Sequence, residues 1–195
     1  MARFPIVGAV GYAVTDFLNT EFKRAGVKAE VVDTLPAGVT KDPRLHFVLF
    51  DARQNLDRRD MEPISERERL KDGTIVDYLR DPPIYMDLSY LLFSAGPPAA
   101  AHAALAMAVL LIKDHPLLDD LPAIKDLYGS REETMALRLI HAYEPETIAR
   151  ILRDMGITAR PALVYSCSAR VESENRREVK RVEERLVDIR RKERE

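Results

Sequence analysis

The chain has 195 residues, 46% hydrophobic and 32% charged, with formal net charge −2, one cysteine and no tryptophan. At that length about 70% of the extended chain's surface is buried on folding, enough for one domain without a disulfide or metal staple. The near-neutral charge gives no overall drive towards nucleic acid or anionic membrane, and a lone Cys167 excludes an internal disulfide framework and fits a reducing compartment.

The opening run MARFPIVGAVGYAV invites a signal-peptide reading, but Asp16, Glu21 and Lys23 continue its period without a cleavage pattern. Val7, Val10, Val14, Phe17, Leu18 and Phe22 recur at helical steps, and Gly26 stands where a helix C-terminal glycine belongs. Gly8 and Gly11 lack the third glycine and preceding strand of a phosphate loop. Two pairing strands follow, at residues 27–32 and 45–50, separated by the turn-rich LPAGVTKDP.

Residues 51–81 are dense in charge and poor in apolar side chains. ISERERL and TIVDYLR flank Lys71-Asp72-Gly73, which predicts a hairpin. Such an excursion is either a solvated loop or an arm laid across a neighbouring subunit.

Pro82 to Leu118 organises the rest. Residues 84–93 predict a buried strand and Gly96-Pro97-Pro98 stops it. A helix over 99–112 then carries His102 as its only polar side chain. A helix apolar on every side has to be covered on every side, and at this length it is too short to span a bilayer, so it is either central to the fold or wedged between subunits. His102 is expected in an interior or an interface. TMALRLIHAY (134–143) predicts a strand, Glu144-Pro145-Glu146 opens a short helix closed by Gly156, and ARPALVYSCSARVES supplies the last strand.

From residue 175 onward the sequence changes again. Val179, Val182, Leu186 and Ile189 fall at steps of three, four and three, a two-heptad seam that predicts a helix needing a partner surface.

No catalytic chemistry is legible. His46, His102, His115 and His141 lack metal-ligand spacing, and there is no nucleophile elbow, P-loop or dinucleotide fingerprint. No cofactor is expected. Two other function classes stay open. One is a small-ligand-binding regulatory domain with a pocket at the strand ends near Asp87 and Tyr90. The other is a nucleic-acid-binding adaptor using Arg190, Arg191 and Lys192 of the basic tail, although no aromatic interleaves with those cations to stack on bases.

Four strings stand in one order: VLFDARQNLDRRD, PPIYMDLSYLLFSAG, AAAHAALAMAVLLIKDHPLL, and TMALRLIHAYEPETIARILRDMGITARPALVYSCSARVES. Together they resemble the cap, or tail-terminator, family of extracellular contractile injection systems, as in antifeeding-prophage and Photorhabdus virulence-cassette particles. The resemblance runs from about Val7 to Ser173. It departs where family members often carry tryptophan, at ETIARILRDMG, and in the basic tail.

The resemblance implies a non-enzymatic homohexameric ring that ends tube and sheath polymerisation. It implies a cytoplasmic chain assembled into a phage-tail-like particle, with tube and sheath proteins as partners and no membrane. The expected fold is α+β: a single domain (1–174) with a mixed four- to five-stranded sheet packed by helices, containing a charged hairpin arm (51–81). A C-terminal helical tail (175–195) follows. The residues expected to serve assembly are Arg58, Arg59, Glu66, Arg67, Arg69 and Lys71 of the arm, with the seam Val179, Val182, Leu186 and Ile189.

Overall fold

The first helix, α1 (Ile6–Ala25), takes its form from the apolar period: Val10, Val14, Leu18 and Phe22 are all buried along one stripe. Gly26 ends it with φ +69°, and Val27 N–H donates to Phe22 O at 2.9 Å, the six-to-one closure of a Schellman motif. The computed structural model describes residues 6–38, 40–59, 62–118, 120–122, 124–125, 136, 138–140, 143–158, 160–171 and 176–179, with backbone only at 6 and 59. These fall into two compact units, residues 1–59 with 84–171, and residues 60–83 with 172–195.

In the first unit a five-stranded sheet has the order β1-β2-β5-β7-β6. Its strands are β1 (Glu30–Val32), β2 (Arg44–Arg59), β5 (Ile84–Ala95), β6 (Arg138–Leu139) and β7 (Ala162–Val171). β1 runs parallel to β2 and the other neighbours are antiparallel, so the sheet is mixed, as expected. β5 is central because its second half, buried without a break over residues 90–95, is apolar enough to be covered on both faces. Leu88, Tyr90 and Leu92 face α1 and α2 (Pro98–Asp114), while Leu91 and Phe93 face α3 (Pro145–Asp154). The edge at β1 is closed by a side chain: Asn19 accepts from Val31 N–H at 2.9 Å and donates to Val31 O at 2.8 Å.

The turn from β5 into α2 requires glycine. Gly96 has φ +99°, and a Cβ there would stand 2.5 Å from Asp42 O. Pro98 then begins α2, at a position whose N–H would have no helical partner. α2, expected to be either central to the fold or wedged between subunits, is covered by the chain's described residues on one side only. Ala101, Ala104, Leu105, Ala108 and Ile112 are buried, whereas Ala99, Ala103, Ala106 and Leu110 (54% exposed) line an open side. His102 is on that open side too, not in the interior. Alanine makes this possible: it is the best helix former and each exposed methyl group presents little apolar area.

Of the expected strand at 134–143 the described residues show β6 and an isolated bridge between Leu117 and Ala136, while 134, 135, 137, 141 and 142 lie outside the described residues. α3 and its Gly156 terminator stand as expected, with Ile157 N–H donating to Leu152 O at 2.8 Å. No helix among the described residues is long and apolar enough to cross a membrane.

In the second unit a three-stranded antiparallel sheet has the order β3-β4-β8, with strands Ile64–Arg69, Ile75–Arg80 and Arg176–Val179. The hairpin expected around Lys71-Asp72-Gly73 is present as a three-residue loop. Gly73 N–H donates to Leu70 O at 2.9 Å, Leu70 N–H donates to Thr74 O at 2.8 Å, and Gly73 takes φ +89°. Two boundaries change. Residues 51–59, expected in the arm, continue β2. Residues 176–179, expected to start a helix, form β8, because Arg176 and Val179 find cross-strand partners on β4 that an isolated short helix lacks.

Candidate assembly interface

Alternation along three strands sorts the arm's charges onto two faces. On one face Glu66 lies opposite Tyr78, Glu68 opposite Val76, and Arg80 opposite Arg176. Arg80 holds Glu66 at 2.7 Å, Arg176 donates to Glu68 at 2.7 Å, and the Arg176 guanidinium sits 4.5 Å from the centre of the Tyr78 ring. These groups are mostly satisfied by one another, a network that fixes the register of three strands.

The other face carries Arg67 and Arg69 of β3, Ile75, Asp77 and Leu79 of β4, and Arg177 and Val179 of β8. Arg67 Nε donates to Asp77 Oδ1 at 2.8 Å, and that carboxylate raises the guanidinium's pKa. Ile75 is 59% exposed and Val179 36%.

The residues expected to serve assembly are therefore divided. Arg67, Arg69 and Val179 share one face of the arm sheet, Glu66 is on the opposite face, and Lys71 is at the hairpin tip. Arg58 and Arg59 belong to β2 of the first unit instead. Val182, Leu186 and Ile189 lie outside the described residues, as do Arg190, Arg191 and Lys192. Ile75, Leu79 and Arg177 complete the face and were not singled out from sequence; the alternation of TIVDYLR is the signal that marks the first two.

Arg58 sits in a widened bulge of β2, where five steps from Gln54 to Arg59 oppose two on β5. Asn55 builds that bulge. Its Oδ1 accepts from the N–H groups of Asp57 (3.0 Å) and Arg58 (3.1 Å), and its Nδ2 donates to Asp87 Oδ2 at 2.9 Å. The Arg58 guanidinium then lies 6.0 Å from the Tyr85 ring centre.

Asp87 also lines an open polar cleft of about 450 Å³ with Asn55, Arg58, Ser89, Arg138 and Ser166. The pocket expected to join Asp87 and Tyr90 does not form. Tyr90 points to the opposite face, stacks on Phe47 with ring centres 4.6 Å apart, and donates its hydroxyl to Val7 O at 3.2 Å. A second cleft, of about 790 Å³, opens at the start of α2 between Gly96, His102, Thr158 and Arg160. Among the described residues no group of three or more His, Cys, Asp or Glu is placed to hold a metal ion. Cys167 is buried, and burial, then the Asp87 carboxylate, push its thiol up to about 12. A nucleophilic thiol needs the opposite shift.

The family model described as the Pvc16 N-terminal domain matches residues 9–184. Among solved structures, the chain is similar to the sheath/tube terminator of an extracellular contractile injection system, PVC, in its extended state. The TM-score is 0.57 at 14% identity, over 90% of this chain and 64% of that one. It is also similar to the tube-terminating cap of the anti-feeding prophage, with a TM-score of 0.52 at 14% identity, over 89% of this chain and 60% of that one. The chain thus spans less than two thirds of either solved relative. No curated protein matches it.

Proposed function

The chain belongs to the Pvc16 N-terminal domain family, and from that premise we propose that it is a structural terminator of a phage-tail-like contractile injection system. In this reading, copies of the chain form a ring, a homohexamer, on the end of the tail, and the ring stops further growth of tube and sheath. The observation that carries the proposal is the extent of the match: the family model runs over residues 9–184, reaching into both units, and the fold match covers 90% of the chain. The solved relatives are described as a sheath/tube terminator and a tube-terminating cap.

The role needs no reacting centre. It needs a rigid scaffold and surfaces, and the geometry supports that division of labour. The five-stranded sheet, with a buried core on each face, supplies rigidity. The arm sheet, the Arg58 bulge and the open side of α2 supply exposed surface of different character, charged on the arm and bulge and apolar on the helix. A heterologous ring needs two unlike surfaces per protomer, and its closure depends on the rotation between them. The finished ring sits in the assembled particle outside any membrane, with tube and sheath proteins as its neighbours.

The test is mass measurement of the purified chain with and without tail tubes carrying sheath. The proposal expects a species of six times the 22.1 kDa chain, or its formation on tube ends. A monomer at micromolar concentration that also fails to sediment with the tubes overturns it.

A further inference from the structure

The described residues of the second unit bury little of their own surface. Among its described residues only Pro83 is buried, yet three strands need an apolar face or a covering element to be independently stable. One face largely closes on itself through Glu66, Glu68, Tyr78, Arg80 and Arg176. Among the described residues the opposite face sets Arg67, Arg69 and Arg177 around Ile75, Leu79 and Val179, three cations against the single carboxylate of Asp77. A solvated surface would account for the arginines. It does not account for an isoleucine and a valine exposed on one face of a sheet whose described residues build no core of their own.

The composition of that face specifies its complement: an apolar spot rimmed by Asp and Glu. A second copy's first unit is a poor candidate, since it carries as many acidic as basic residues. We propose that this face of the arm docks an acidic, apolar-centred protein surface on the sheathed tail end, and that the arm sheet is consolidated when it docks. The proposal rests on the terminator reading and adds to it the surface used and the charge of its partner. Ile75 and Val179 supply the apolar area, and Arg67, Arg69 and Arg177 supply register and salt sensitivity.

The experiment uses sheathed tail tubes made without this chain, and co-sedimentation of the full chain with them at rising salt. The unaltered chain is expected to bind and to weaken as salt rises. The triple variant Arg67→Glu, Arg69→Glu, Arg177→Glu is expected to bind at least about tenfold more weakly. A labelling arm is independent of that variant's folding. Cys167 is buried with its thiol pushed up to about 12, so the Ile75→Cys variant has one reactive thiol. That thiol should react with a maleimide at least about tenfold more slowly on tube ends than in the free chain.

Equal binding by the triple variant, or equal labelling on and off the tubes, overturns this surface and leaves the terminator reading standing. Labelling of free Ile75→Cys as slow as that of Cys167 shows the face covered by the chain itself, and also overturns it. Failure of the unaltered chain to bind tubes at any salt overturns both.

Discussion

Arg67 and Asp77 face each other across β3 and β4, joined at 2.8 Å on the exposed face of the arm sheet, with Val179 next in line on β8. The Arg67 side chain is 56% exposed, so the pair is screened and contributes little to folding. Arg67→Ala is therefore expected to leave the urea midpoint of the chain unchanged within error. A clear loss of stability would show that this pair is structural and not held for a partner.

Gly96 and Gly8 make a matched pair of predictions. Gly96→Ala puts a Cβ 2.5 Å from the Asp42 carbonyl at φ +99°, with backbone on both sides of the clash, and is expected to cost at least about 2 kcal/mol. At Gly8, inside α1, a Cβ meets nothing within 4 Å, so Gly8→Ala is expected to stabilise by about 0.5–1 kcal/mol. Denaturant unfolding of the two variants should move in opposite directions.

Asn55 gathers three hydrogen bonds to hold the β2 bulge against Asp87. Asn55→Ala leaves the half-buried Asp87 carboxylate without that donor and frees the loop, for a loss of about 1–2 kcal/mol. The same variant is expected to change the environment of Arg58 over the Tyr85 ring. Nuclear magnetic resonance shifts of the Tyr85 ring check that directly.

Buried titratable groups bound the pH range. Burial lowers the pKa of His46, whose ring stacks on Phe93 with centres 4.9 Å apart, so the folded chain holds it neutral. Stability from that neutral ring is present above 6.5 and is lost as pH falls below it. At the other end, burial raises Cys167 and Tyr165 to about 12, and raises Tyr90 as well. Their unfolded forms ionise first, so stability falls as pH rises above about 9, by up to about 1.4 kcal/mol per pH unit for each group. Unfolding free energy measured against pH should show a plateau between these limits, and His46→Phe should reduce the acid-side decline, with a further part left to Asp72, whose carboxylate the Thr74 N–H holds below its ordinary pKa.

Much of the scaffold was legible because one local signal decided each element. The 3.6-residue period with Gly26 gave α1, the proline-fenced apolar run gave β5, and Pro145 with Gly156 gave α3. The hairpin was legible from Asp72-Gly73 for the same reason. What failed depended on distant partners. β8 reads as part of a heptad seam until β4 is placed beside it, and β2 reads as ending at residue 50 until β5 extends its ladder to Arg59. Side-chain direction was the other gap. Asp87 and Tyr90 look like neighbours in sequence, but an odd separation on a strand puts them on opposite faces. His102 reads as either interior or interface, and only the exposed side of α2 excludes the interior of the chain itself. The arm face is intermediate: its charges were evident, but its apolar centre emerged only when β3, β4 and β8 were in register.

The central claim is that this chain ends a tail, and the direct measurement is the length distribution of particles by electron microscopy, with and without the chain. With it, tails are expected to have one length and a ring of density at one end. Without it, tubes or sheaths are expected to be overlong and variable, with no ring. Particles of unchanged, uniform length in its absence, closed at both ends, would contradict the account.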